Sequence, residues 1–122
     1  MSASDVVLVI DDDPAIVDAL RMLLELEGIP TKGYSGGSIL DVVKKVKPSL
    51  LLLDVWLAGQ DGRKLCGSIK SDQELGATPI ILISAGGNLS SSAALAGADG
   101  FIEKPFDMDV VVSTVKKILT SK

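Results

Sequence analysis

The chain has 122 residues, of which 47% are hydrophobic and 23% charged, and a formal net charge of −4. This length predicts a single domain over residues 1–122, with a core at about 5–120, and the apolar fraction disfavours a disordered chain. The acidic balance disfavours direct nucleic-acid binding, and no apolar run approaches the roughly 20 residues that span a bilayer.

Two residue types further restrict the chemistry. There is no histidine, which excludes histidine-ligated metals and histidine-activated nucleophiles. Cys66 is the only cysteine, so no internal disulfide can form, and a reducing compartment is the simplest setting. The N-terminus lacks the basic start and long apolar stretch of a signal peptide. We therefore expect a cytoplasmic protein.

Apolar runs and amphipathic stretches alternate along the chain. In chain order, the first half predicts a strand at residues 6–10, a helix from 14 to about 27, a weak strand at 31–34, and a helix with Ile39, Val43 and Val46 on one face. The second half predicts a strand at 50–53, a helix at about 63–70, a strand at 79–83, a short helix at about 89–96, a mixed strand at 100–103, and a last helix capped by Asp107.

Five strand-plus-helix units predict an α/β fold. Alternation of this kind gives a parallel sheet covered by helices on both faces, here a doubly wound (βα)5 arrangement. The three runs that are apolar throughout belong in the interior of the sheet, and the two mixed runs belong at its edges. The strand order 2-1-3-4-5 satisfies this requirement, and it is the flavodoxin-like order.

Polar side chains follow four of the five predicted strands. Asp11 and Asp12 come after the first strand, Asp54 after the second apolar run, Ser84 after the third, and Lys104 after the last strand. Ligands bind beyond the carboxyl ends of the strands in sheets of this type. The sequence therefore predicts one site that contains carboxylates, a hydroxyl and an ammonium group.

The acidic run after the first strand has two interpretations. Asp13 is a suitable N-cap with Pro14 at the first helical position, so capping explains one of the three aspartates. Capping leaves Asp11 and Asp12 unexplained, and neighbouring carboxylates repel each other. A hard cation such as Mg²⁺, which binds through one or two carboxylates plus waters and phosphate, relieves that repulsion.

Asp54 follows four leucines, where an ionised carboxylate is costly if it is buried without a partner. One alternative is a solvated loop aspartate that begins a turn containing Gly59 and Gly62. The functional interpretation is a nucleophile that forms an acyl phosphate, with Lys104 as a fixed cation and Ser84 as a hydrogen-bond donor. The co-location of these groups favours the second interpretation.

Four segments resemble the signature blocks of response-regulator receiver domains (CheY-like) of two-component signalling. They are VLVIDDDP, LLLLDVWLAGQDG, PIILISAG and GADGFIEKPF, in the order and at the spacing of that family. The resemblance covers essentially the whole chain. It implies a (βα)5 fold, phosphorylation of Asp54, and an acidic pair of Asp11 and Asp12 that binds Mg²⁺, with Mn²⁺ as a possible substitute.

The resemblance also assigns roles to individual residues. Asp12 is the more direct metal ligand, and Asp54 and the backbone carbonyl of Trp56 complete the protein's contribution. Ser84 matches the hydroxyl position and Lys104 the invariant lysine, and a cis bond is expected between Lys104 and Pro105. Phe101 matches the switch aromatic. The Trp56 side chain occupies a position that tunes access to the phosphoryl group in relatives, and we expect its indole to shield that group from water.

The function implied is signalling and not turnover of an external substrate. A histidine kinase or a histidine phosphotransfer protein donates the phosphoryl group, and the domain catalyses only its own phosphorylation and dephosphorylation. The face of the fourth helix, fifth strand and fifth helix then signals to an unknown downstream protein. We expect a monomer or a phosphorylation-dependent dimer, acting alone or as part of a larger regulator or hybrid kinase.

Several positions depart from the family pattern. Ala58 stands where many relatives have proline, Ser49 where aspartate is frequent, and Phe101 lacks the hydroxyl of the more usual tyrosine. Residues 86–96 are unusually small and uncharged, which leaves the order and the partner of the signalling face open.

Three other functions remain as alternatives. A receiver-like interaction module that is never phosphorylated would lack one or more site residues, whereas this chain keeps them all. A flavodoxin-like cofactor binder would place a phosphate loop where three acids stand. A haloacid-dehalogenase-type phosphatase would have a second aspartate at position 56, which is tryptophan here.

Overall fold

The structure is a computed structural model that describes residues 6–34, 37–57, 59–84 and 97–120. The strands in these ranges are β1 Val7–Ile10, β2 Thr31–Gly33, β3 Leu50–Asp54, β4 Trp56–Leu57, β5 Gln60–Asp61, β6 Ile80–Ser84 and β7 Gly100–Glu103. The helices are α1 Pro14–Leu26, α2 Ile39–Val46, α3 Gly62–Ser71 and α4 Met108–Thr120. The predicted helix at about 89–96 and Ala58 lie outside the described residues.

Five of the strands form one parallel sheet in the order β2-β1-β3-β6-β7. This is the predicted 2-1-3-4-5 order, because β6 and β7 are the fourth and fifth strands of the main sheet. The prediction of an α/β doubly wound fold is confirmed. The two-residue strands β4 and β5 were not predicted; they pair antiparallel as a small hairpin that connects β3 to α3.

Helices pack on both faces of the main sheet. Along the central strands, successive residues alternate between two cores: Leu51 and Leu53 face α2 and α3, whereas Leu50 and Leu52 face α1 and α4. Burial on both faces explains why these strands are apolar throughout and show no alternation with polar residues. Among the described residues, no helix has the length and apolar character needed to cross a membrane.

The carboxyl ends of four strands meet at one edge of the sheet. The register places Asp54 of β3 beside Ile83 of β6, and Ser84 beside Glu103 of β7. β1 ends at Ile10, which lies beside Leu53. The residues at or just after these strand ends are therefore neighbours in space although they are far apart in sequence.

Candidate functional site

Asp54 is the last residue of β3 and lies at the edge where the strand ends meet. Its side chain is almost fully buried, with only 6% of the residue exposed. Burial raises the pKa of the Asp54 carboxyl, and the nearby Asp11 carboxylate raises it further. Lys104 and the backbone N–H of Trp56 both lower that pKa, but by less. The site therefore holds a carboxylate whose charge is only partly compensated.

Asp11 and Asp13, which follow β1, have different roles. Asp11 is also buried; one of its oxygens, Oδ1, accepts the backbone N–H of Asp13 at 2.9 Å. Asp13 is the N-cap of α1, because its Oδ1 accepts the N–H of Ala15 at 3.0 Å, and Pro14 follows it. Asp12, between them, is exposed. Capping therefore accounts for Asp13, while Asp11 turns toward the site.

Lys104 contacts both buried carboxylates with its side-chain ammonium group. Its Nζ donates a hydrogen bond to Asp11 Oδ2 at 3.1 Å and lies 3.6 Å from Asp54 Oδ1. The backbone N–H of Lys104 donates to the carbonyl of Ser84 at 2.8 Å, which extends the pairing of β7 with β6 by one residue. The peptide bond between Lys104 and Pro105 is cis.

Ser84, Phe101 and Trp56 differ in exposure. Ser84 is the last residue of β6 and is 2% exposed. Phe101, in β7, is exposed. Trp56 lies in β4, and its backbone N–H donates to the Asp54 carboxylate, whereas its indole faces solvent with 59% of the residue exposed.

The donor set fits Mg²⁺. Among the residues that the structure describes, the buried carboxylates of Asp11 and Asp54 share the ammonium group of Lys104, so a second cation would complete their compensation. Among the described residues, no group of three or more acidic or cysteine side chains is close enough to form a cage for a metal ion. Mg²⁺ does not need such a cage, because it keeps several waters and binds proteins through one or two carboxylates.

Two features of the site were missed by the sequence reasoning. Gly62 begins α3 against β3, and a Cβ at this position would lie 2.2 Å from the backbone oxygen of Asp54. The available signal was a glycine at a helical position directly after the N-cap Asp61. The second feature is the contact of Arg63 with the Trp56 ring, which no sequence spacing indicates.

Comparisons with known proteins agree on one family. The sequence profile of the response regulator receiver domain matches residues 7–116. The heme response regulator HssR of Staphylococcus aureus (strain Newman) is 30% identical over 115 residues, which cover 92% of this chain and 50% of HssR. The chain thus spans about half the length of the curated relatives it matches.

Solved structures resemble the chain over nearly its full length. A response regulator receiver protein from Burkholderia phymatum has a TM-score of 0.82 and 30% identity, and the match covers 95% of both chains. The signal receiver domain of a signal transduction histidine kinase from Syntrophus aciditrophicus has a TM-score of 0.81 and 29% identity, covering 96% of this chain and 91% of that one.

Proposed function

The chain belongs to the response regulator receiver domain family of two-component signalling, and from that premise we propose that it accepts a phosphoryl group on Asp54 in a Mg²⁺-dependent reaction. The donor is a histidine kinase or a histidine phosphotransfer protein. The observation that carries the proposal is the pair of buried carboxylates, Asp11 and Asp54, with the Lys104 ammonium between them.

Asp54, Lys104 and Ser84 each have one role in the proposed phosphoryl transfer. An oxygen of the Asp54 carboxylate forms a bond to phosphorus while the phosphorus–nitrogen bond to the donor imidazole breaks, and the leaving nitrogen takes up a proton from solvent. Lys104, already 3.6 Å from Asp54, balances the charge of the phosphoryl oxygens. Ser84, at the end of the neighbouring strand, donates its hydroxyl to one of these oxygens.

The residues that would hold the metal lie at the same edge of the sheet. The protein ligands would be Asp11, Asp12, Asp54 and the backbone carbonyl of Trp56, with Asp12 the more direct member of the acidic pair. Mg²⁺, or Mn²⁺ in its place, supplies charge neutralisation at the phosphoryl oxygens when bound. Asp12 is exposed and lies beside the buried Asp11, so it can approach an ion that enters from solvent.

Signalling follows from the movement of Ser84 toward the phosphoryl group. This movement leaves space that Phe101 fills by turning inward, which repacks the outer surface of β7 and α4 for a downstream protein. The domain catalyses only its own phosphorylation and dephosphorylation. It acts in the cytoplasm as a monomer or a phosphorylation-dependent dimer, without direct contact with nucleic acid or membrane.

The test is phosphorylation by a small phosphodonor such as acetyl phosphate, with and without Mg²⁺. The unmodified protein should be labelled only with Mg²⁺ present, and Asp54→Asn should abolish the label. Asp41→Asn serves as the matched control, because Asp41 is an exposed aspartate on α2, a helix that contributes no residue to the proposed site. Labelling that survives in Asp54→Asn would refute the assignment.

A further inference from the structure

The side chain of Arg63 packs against the β4–β5 hairpin, through the ring of Trp56. Trp56 of β4 pairs with Asp61 of β5 across the hairpin. Arg63, in the first turn of α3, places its guanidinium carbon 5.1 Å from the centre of the Trp56 ring. This is the distance of a cation–π contact, in which the cation lies over the face of the indole.

Asp61 holds Arg63 in that position. The Arg63 side chain donates from Nε to Asp61 Oδ1 at 3.0 Å and from Nη2 to Asp61 Oδ2 at 2.8 Å, a bidentate pairing that fixes the plane of the guanidinium group. Asp61 is itself fixed as the N-cap of α3, because its Oδ1 also accepts the backbone N–H of Arg63 at 2.9 Å. The guanidinium hydrogen bonds also lower the pKa of the Asp61 carboxyl. The Asp61 carboxyl is therefore ionised at neutral pH, where it pairs with the Arg63 guanidinium group.

We propose that Arg63 is a positioning residue, which with Asp61 fixes the Trp56 indole over the entrance to Asp54 and so lengthens the life of the phosphoryl group. The inference rests on the proposed phosphorylation of Asp54. It is supported by the backbone of Trp56, whose N–H donates to the Asp54 carboxylate and so places this residue directly against the reacting group.

An exposed indole needs such an anchor. With 59% of Trp56 in solvent, the indole has little protein surface against which to fix its rotamer. A free indole would swing away from the site and leave the phosphoryl group open to water. The rigid guanidinium plane supplies the missing contact, and lysine supplies it less well because its ammonium is a point charge on a flexible stem.

The position of the indole can be tested without phosphorylation. Trp56 is the only tryptophan, so tryptophan emission and its quenching by acrylamide report on this residue alone. Arg63→Ala should make Trp56 easier to quench, Arg63→Lys should restore part of the protection, and Lys64→Ala should have no effect. Lys64 is the matched control because it is an exposed cation in the same helical turn. Equal quenching in Arg63→Ala and the unmodified protein would overturn the proposal.

The effect on the phosphoryl group is tested by a double-mutant cycle. Arg63→Ala should shorten the half-life of the phosphorylated protein by about 2- to 5-fold, the range that a cation–π contact at an exposed site supports. The same change in a Trp56→Ala background should have no further effect, since Arg63 acts through the indole. An undiminished effect of Arg63→Ala in that background would overturn the positioning role.

The experiments distinguish a failure of the proposed phosphorylation of Asp54 from a failure of the proposed role of Arg63. If the unmodified protein is never labelled, the proposed function fails and the lifetime claim fails with it. If labelling occurs on Asp54 but Arg63→Ala changes neither quenching nor half-life, only the role of Arg63 is refuted. Circular dichroism of each variant confirms that the compared proteins are folded.

Discussion

Gly62 gives the sharpest prediction about the site's construction. The change is Gly62→Ala, which adds one methyl group at the start of α3. This methyl would lie 2.2 Å from the backbone oxygen of Asp54 and 2.8 Å from Cα of Val55. Real Cβ atoms do not approach other atoms this closely, and both contacts are with backbone, so β3 and α3 must separate.

The magnitude follows from the cost of overpacking. Forcing an extra carbon into a packed interior destabilises a protein by about 1–3 kcal/mol, and the backbone contacts put Gly62→Ala at the upper end, about 3 kcal/mol. With a urea dependence of about 1–3 kcal/mol per molar, the unfolding midpoint should fall by about 1–3 M.

Gly67→Ala is the matched control on the same helix. Nothing lies within 4 Å of a Cβ at Gly67, which is inside α3. Alanine in a helix interior is more stable than glycine by about 0.5–1 kcal/mol, so Gly67→Ala should raise the midpoint. Urea unfolding followed by circular dichroism measures both variants. A midpoint for Gly62→Ala at or above that of the unmodified protein would refute the packing argument.

Three further predictions concern charge. Because burial raises the pKa of Asp54 above its ordinary value, ionised Asp54 destabilises the fold, so Asp54→Asn should raise the thermal midpoint of the metal-free protein at neutral pH. This increase in the thermal midpoint should shrink as the pH falls through the folded-state pKa of Asp54, and it should vanish near pH 3.8, the ordinary pKa of an aspartate. A difference in thermal midpoint that does not change with pH would contradict this explanation. Mg²⁺ at a hundredfold excess over its Kd should stabilise the protein by about 2.7 kcal/mol, measured by calorimetry, and Asp11→Asn should remove most of this effect. Lys70→Met should reduce the free energy of unfolding by about 1–3 kcal/mol, since Lys70 Nζ binds Asp99 at 2.7 Å and that carboxylate also accepts a β6 backbone N–H. Lys116→Met breaks only an exposed ion pair with Glu27 and should reduce the free energy of unfolding by about 0–1 kcal/mol. Urea unfolding measures both variants, and an equal loss of stability in Lys70→Met and Lys116→Met would refute the larger role of Lys70.

The order of the main sheet was predictable because burial on both faces leaves a plain sequence signal. Leucines at 50–53 and the run at 79–83 are apolar at every position, and only interior strands of a parallel sheet require this. The β4–β5 hairpin left no such signal, because two residues are too few to show a periodicity. Its existence depends on pairing between Trp56 and Asp61, which residue types alone do not indicate.

The membership of the site was predictable, but its internal contacts were not. Topology brings Asp11, Asp54, Ser84 and Lys104 to one edge, and the strand ends could be read from the sequence. Side-chain rotamers decide whether Lys104 lies closer to Asp11 or to Asp54, and in the structure it lies closer to Asp11. The contact of Arg63 with Trp56 is likewise a consequence of the hairpin geometry.

The proposed function depends on Asp54 as the residue that carries the phosphoryl group. The most direct measurement is reduction of the phosphorylated protein with borohydride, which converts an aspartyl phosphate to homoserine, followed by mass spectrometry of its peptides. Homoserine is expected at position 54 alone, and only after incubation with both phosphodonor and Mg²⁺. Conversion at another aspartate, or phosphate found on Ser84, would contradict it.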